Sequence, residues 1–169
     1  MLIDFLAAVE RFARIYREGA RRTSRIKLWR PFHSVMRYEL LEHTADVMVK
    51  AMGKDLEECF ANAAYALFDQ MVDVSKVEAM TEVSFEVEGH DLESLLYNFL
   101  SEFLYLHDAK QLVLCEFEVE IRGDRVLCKA KGERFSHHKH SQRHEVKAIT
   151  YHMLSVDPKE PSVTVIFDI

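Results

Sequence analysis

Three groups of residues have the types and spacing to do chemistry. Asp46 lies in "EHTADV", where a turn enters a strand, and Asp168 lies next to last in the closing "SVTVIFDI". If the fold brings these two ends together, Asp46, Asp168 and the Ile169 carboxylate present up to six oxygens with a formal charge of −3, one per carboxylate. Without a cation that cluster is unfavourable, since two unit charges about 4 Å apart repel by roughly 4 kcal/mol at an effective dielectric near 20. A hard divalent ion would relieve the repulsion. The plainer reading is that Asp46 caps a turn, Asp168 pairs with a lysine and the terminus is solvated. Spacing alone leaves both open.

The second group is "EVKAITYH". Strand alternation puts Glu145, Lys147, Ile149 and Tyr151 on one side and Val146, Ala148, Thr150 and His152 on the other. A lysine among carboxylates can contact phosphate or a partner's acid, and a histidine can shuttle protons. A surface Lys/Glu pair is the simpler alternative and adds little stability. The third group is "SHHKHSQRH", with His137, His138, His140 and His144. Such a cluster can bind Zn²⁺ or Ni²⁺, but a zinc site fixes three or four ligands in a geometry that one loop seldom supplies. A mobile polar loop is the expectation. The chain has no GxGxxG, Walker A, GxSxG or HExxH motif, so nucleotide cradles, hydrolase elbows and zincin sites have no support.

The elements that must position these residues follow from periodicity. "RYELLEH" and "DVMVKAM" read as short strands joined through His43-Thr44-Ala45. "KDLEECFANAAYALFDQMV" puts Leu56, Cys59, Phe60, Ala63, Leu67 and Met71 on one helical stripe, opened by Asp55 with Glu58 three residues on, in the manner of a capping box. "TEVSFEVEG" alternates strictly, with Val83, Phe85 and Val87 inward. "DLESLLYNFLSEFLYLHDA" is a second helix, apolar nearly all round and therefore central. "CEFEVEIRGDRVLCKAKGERF" is a hairpin turning at Gly123-Asp124. "HEVKAITYHMLSVD" alternates through to Met153, and "PSVTVIFDI" closes the sheet. The expected architecture is a single α+β domain, a mostly antiparallel β-sheet packed against two main helices.

At 169 residues, about half apolar, the chain suits one globular domain. Its charge is uneven. Residues 1–35 carry eight Lys/Arg against three Asp/Glu (+5), and residues 36–169 carry fourteen against twenty-five (−11). A body so acidic is a poor nucleic-acid binder by itself, so contact with RNA is expected only through a protein partner. Cys59, Cys115 and Cys128 lack CxxC spacing and sit in apolar patterns, as reduced core residues of a cytoplasmic protein would. No apolar run reaches the roughly 18 to 20 residues of a membrane span, and no secretory signal pattern opens the chain. Residues 1–35 read as a basic amphipathic helical extension. Leu2, Phe5, Leu6, Val9, Phe12, Ala13 and Tyr16 fall at helical spacing, and the sequence from Met36 reads as complete by itself. Packing on the body or a partner is the first reading of that helix; membrane or RNA contact and an Arg-rich presequence are alternatives, the last opposed by Asp4, Glu10 and Glu18.

"YELLEHTADVMVKAMGKDLEECFANAAYALFDQMVD", "DLESLLYNFLSEFLYLHD", "EVKAITYHMLSV" and the terminal "VIFDI", in that order, resemble the archease family through nearly all of residues 37–169. The resemblance implies a small α+β protein that is not itself an enzyme. It implies an accessory factor of the RtcB-type RNA ligase in tRNA splicing, promoting the ligase's guanylylation and repeated turnover and widening the nucleotides it accepts. It implies divalent-metal ligands at Asp46, Asp168 and the main-chain or terminal oxygen of Ile169, with Ca²⁺ first and Mg²⁺ or Mn²⁺ as alternatives. Lys147, with His43 and Glu145 from the same motifs, is implied at the ligase interface. Residues 1–35 and the His-rich loop fall outside the family pattern. Two competitors stay open: a stand-alone metal-dependent hydrolase or phosphotransferase, and a chaperone-like binding module indifferent to metal.

Overall fold

The computed structural model describes residues 36–43 and 46–169. The proposed N-terminal extension and Thr44-Ala45 lie outside the described residues. Seven strands and two helices follow in order: β1 (Tyr38–Leu41), β2 (Val47–Met52), α1 (Leu56–Met71), a 3-10 turn (Val74–Lys76), β3 (Thr81–Glu88), α2 (Leu92–Lys110), β4 (Leu112–Arg122), β5 (Arg125–Arg134), β6 (Ala148–Asp157) and β7 (Ser162–Asp168). They form not one sheet but two antiparallel ones, ordered β1-β2-β7-β6 and β3-β5-β4. The α+β expectation holds, and the closing strand β7 lies inside the first sheet, between β2 and β6.

The helices start where their side chains satisfy the free N–H groups. Asp55 accepts from the Glu58 N–H at 2.8 Å, while the Glu58 carboxylate accepts from Lys54 N–H at 2.9 Å, one residue before the cap itself. Asp91 and Ser94 form a full reciprocal box at the start of α2. Both helices contact both sheets. On α2, Leu95, Leu96, Phe99, Leu100, Phe103, Leu104 and Leu106 are buried, as its nearly continuous apolar sequence requires. Each fully buried side chain of this size contributes roughly 1.5–3 kcal/mol.

The second sheet closes around one tight contact. At Gly132 on β5 an added Cβ would collide with the Val113 carbonyl oxygen and Leu114 Cα, next to the bulge of β4 between Leu114 and Glu116. Only glycine admits this approach.

The His-rich loop is docked rather than free, and Arg143, which the sequence reading passed over, does much of the docking. Its backbone N–H and that of His144 donate to Met71 O and Gln70 O at 2.8 and 2.9 Å, and its Nη1 donates to Asp69 O and Asp69 Oδ1 at 2.7 and 2.8 Å. The open carbonyls at the C-terminus of α1 are thereby satisfied. His140 is 2% exposed. Its Nδ1 accepts from Ser136 N–H at 3.0 Å, which leaves Nε2–H to donate to Glu133 Oε1 at 3.3 Å. His137 and His138 are exposed. We therefore expect His140→Ala to lower stability by about 2–3 kcal/mol, through a cavity and two lost hydrogen bonds. His137→Ala and His138→Ala are expected to stay within about 0.5 kcal/mol in the same urea titration.

Candidate functional site

The pairing of β2, β7 and β6 decides which of the candidate residues meet. β2 and β7 run antiparallel with Val47 opposite Phe167, and continuing that register by one residue sets Asp46 opposite Asp168. On the other side of β7, Ala148 lies opposite Asp168, and Lys147 N–H donates to Asp168 O at 2.8 Å. Residues separated by more than a hundred positions in sequence thus share one end of the first sheet. Val49, Ala51, Val163, Val165 and Phe167 form the buried face toward the helices. Asp168 has the opposite parity, with Met48, Thr164 and Ile166, and so belongs to the face away from them. Both Asp168 and Ile169 are half-buried.

His43 joins this end of the sheet from the β1–β2 connection. Its Nδ1 lies 3.8 Å from Asp46 Oδ2, with the two side chains 22% and 30% exposed. That is an ion-pair distance, too long for a hydrogen bond. Among the described residues, His43 Nδ1 and Thr150 Oγ1 are the buried side-chain polar atoms without a hydrogen-bond partner. Thr150 lies opposite Ile166, two pairs inside the Asp168–Ala148 pair. Buried polar atoms in native proteins are almost always paired, with protein, water or a bound group. Both orphans lie toward the end where the two aspartates oppose each other. Lys147 and Glu145 are exposed beside it.

Among the described residues no three His, Cys, Asp or Glu side chains gather as a metal site of that kind would need. The set implied by the family's motifs is different in kind: two aspartates, one just before β2 and one ending β7, and an oxygen of Ile169, a residue type outside those four. These are hard oxygens, suited to Ca²⁺ or Mg²⁺ rather than to zinc or copper. Oxygens of this kind would suit a hard cation, and the exposed Lys147 ammonium would suit a phosphate or a partner's carboxylate.

The expected alternation of "EVKAITYHMLSV" fails. Val146 and Ile149 are buried, at 4% and 5% exposure, but Tyr151 and Met153 are exposed. The register with β7 shifts between Thr150 and Ser155, so the strand bulges, and before the bulge the buried Val146 and Ile149, three residues apart, already depart from period two. No residue type in the segment marks the bulge, since it contains neither Gly nor Pro.

The three chemistry-bearing groups thus have three fates. Asp46 and Asp168 lie at the same end of the first sheet, the EVKA segment adjoins Asp168, and the His-rich loop is docked on the C-terminus of α1. Among the described residues no helix is long and apolar enough to cross a membrane.

Comparison with known proteins gives a consistent result. Residues 38–169 match the Archease protein family (MTH1598/TM1083). The chain is similar to the "Protein archease" of Pyrococcus furiosus, 50% identical over 124 residues that cover 71% of this chain and 87% of the relative. It is also similar to the "Protein archease" of Danio rerio, 40% identical over 138 residues, 79% of this chain and 85% of the relative. The solution structure of Methanobacterium thermoautotrophicum protein 1598 superposes with a TM-score of 0.68 at 38% identity, covering 79% of this chain and 99% of that one. The crystal structure of an archease, described as a possible chaperone, from Thermotoga maritima shares the fold, with a TM-score of 0.52 at 21% identity over 81% of this chain and all of that one.

Proposed function

Because the chain belongs to the archease family, we propose that it acts as an accessory factor of an RtcB-type RNA ligase in tRNA splicing, using a divalent cation held at the end of the first sheet. The observation that supports the reading is the β2–β7 register, Val47 opposite Phe167, whose continuation would bring Asp46 beside Asp168, with the main-chain N–H of Lys147 donating to Asp168 O. These are the positions at which the family's motifs imply the metal and the ligase contact.

Asp46, Asp168 and the main-chain or terminal oxygen of Ile169 would hold the cation, a hard divalent ion, with Ca²⁺ first and Mg²⁺ and Mn²⁺ as alternatives. A bound cation would neutralise the acidic cluster so that it can approach a phosphate-bearing active site. This chain's own part is positioning. The β2–β7–β6 ladder fixes the two aspartates, and Lys147 offers a mobile point charge suited to a phosphate or pyrophosphate oxygen. His43, beside Asp46, and Glu145, beside Lys147, border the contact. A factor of this kind raises guanylylation by binding the reactive state of the ligase more tightly than its resting state. Each tenfold gain in rate needs about 1.4 kcal/mol of such preference.

Single-turnover guanylylation of the ligase, with GTP and Mn²⁺, tests the reading. Wild type is expected to raise the rate, Asp46→Ala to raise it at least tenfold less, and Lys147→Ala to fall between the two. Equal stimulation by all three proteins would remove the sheet end from the mechanism. Turnover of a phosphate ester by the chain without ligase would favour the hydrolase reading instead.

A further inference from the structure

β6 is an edge strand of the first sheet, and its ladder with β7 breaks between Thr150, opposite Ile166, and Ser155, opposite Thr164. Tyr151, His152, Met153 and Leu154 together span the stretch that Val165 alone spans in β7. Within this bulge Met153 has φ 56°, the left-handed region, which costs a non-glycine residue on the order of 1 kcal/mol or more. Burial does not offset that cost, since Tyr151 is 54% and Met153 55% exposed. The bulge is nonetheless held at both ends by α2. The Tyr151 ring stacks on Tyr97 with centroids 4.0 Å apart and planes 16° apart, and Val156 N–H donates to Glu93 Oε1 at 3.2 Å. A strained backbone that displays its apolar side chains from an anchored frame is unexplained by folding, and such outliers concentrate at functional surfaces.

The setting indicates what covers it. Tyrosine and methionine are enriched at protein interfaces, and tyrosine at their energetic centres. The start of α2 adds Asp91 and Glu93 beside them; burial, the Tyr97 ring and the Asp91 charge together push the Tyr151 phenol up. Residues 36–169 carry fourteen Lys/Arg against twenty-five Asp/Glu, −11 in all. A protein that grips RNA ends must present clustered cations, so an acidic edge with an apolar tip complements it in charge. The bulge also begins only four residues after Lys147, the residue just before β6, at most roughly 13 Å away at about 3.3 Å per residue.

We infer that the bulged edge of β6, with Tyr151 and Met153 at its tip, is the seat of the RNA ligase, received by an apolar hollow bordered by cations. This rests on the accessory reading above. A bulge on an edge strand also discourages pairing with stray strands, so the edge is specific for a partner that accepts its shape.

The affinity of the full chain for the ligase, by isothermal titration calorimetry, tests the inference alongside multiple-turnover ligation and thermal unfolding. Glycine tolerates the left-handed conformation without strain, so Met153→Gly is expected to unfold at the same temperature as wild type or higher, yet to bind the ligase at least tenfold more weakly. Met153→Asp is expected to bind at least as weakly as Met153→Gly. A residue with only a structural role would move stability and binding in the same direction. If wild type binds and stimulates the ligase while both variants bind with wild-type Kd, the seat lies elsewhere and the accessory reading survives. If wild type neither binds nor stimulates, the accessory reading itself fails and takes the inference with it. A dimer in sedimentation that Met153→Asp dissolves, with ligase binding unchanged, would assign the edge to a second copy of this chain and overturn the inference.

Discussion

Replacing Asp168 with Asn is expected to abolish the stabilisation of the protein by Ca²⁺ and to return ligase turnover to the unstimulated level. Among the described residues Asp168 ends the one strand that lies between β2 and β6; it pairs with Ala148, and continuing the β2 register would bring Asp46 to its other side. Removing its charge therefore removes the ligand that unites the set. In wild type, free cation at a hundred times its dissociation constant would add about 2.7 kcal/mol to stability. In Asp168→Asn that increment should vanish, while the metal-free protein is as stable as wild type or more so, because a source of like-charge repulsion has gone. Thermal unfolding with and without Ca²⁺ reads both effects. A metal-dependent rise in melting temperature that persists in the variant would place the cation elsewhere.

Phe103→Ala is expected to cost the most stability of any single truncation. Its ring is fully buried on α2 and meets Phe85 of β3 at 4.9 Å, Phe99 at 5.0 Å, Phe117 of β4 at 5.3 Å and Phe68 of α1 at 5.8 Å. All four contacts are edge-on, with interplanar angles of 80° to 88°, the geometry that ring quadrupoles favour. The truncation leaves a cavity lined by four other rings, which cannot all collapse inward, so the loss should approach about 3–5 kcal/mol. Domains of this size have roughly 5–15 kcal/mol in total. Chemical denaturation should show a lower midpoint with an unchanged slope. A loss below about 1 kcal/mol would mean that the aromatic cluster is not where the two helices and the second sheet are joined.

The parts of this fold that were legible in the sequence are those set by local periodicity. The stripe from Leu56 to Met71 and the nearly unbroken apolar run of α2 depend on nothing beyond their own turns of helix, and Gly123, at φ 62°, marks the β4–β5 hairpin by itself. What depends on distant pairing was not legible. Seven strand signals do not say whether they make one sheet or two, and Asp46 and Asp168 carry no mark of being opposite until β2 and β7 are placed in register. The bulge hides for the same reason, because period two continues through Tyr151 and Met153 although their pairing partners do not. His140 and His138 are one residue type two positions apart, yet one is buried against Phe135 and Glu133 and the other is exposed. That difference arises from the Ser136 N–H and the carboxylate brought in by β5, neither of which composition can reveal.

The family's motifs supply what periodicity cannot: they name the sheet end as the place to look. The structure adds a physical reason for their order in the chain, since Asp46 precedes β2, Lys147 precedes β6 and Asp168 ends β7, at one end of the sheet in which β7 pairs with both. The most direct test of the account is multiple-turnover RNA ligation by the partner ligase with GTP and Mn²⁺, in the presence of substoichiometric amounts of this chain or of the same chain lacking Ile169. The account predicts many product molecules per ligase with the full chain and no more than the ligase alone yields with the shortened one. Equal stimulation by both would contradict the role of the sheet end, and no stimulation by either would contradict the accessory function itself.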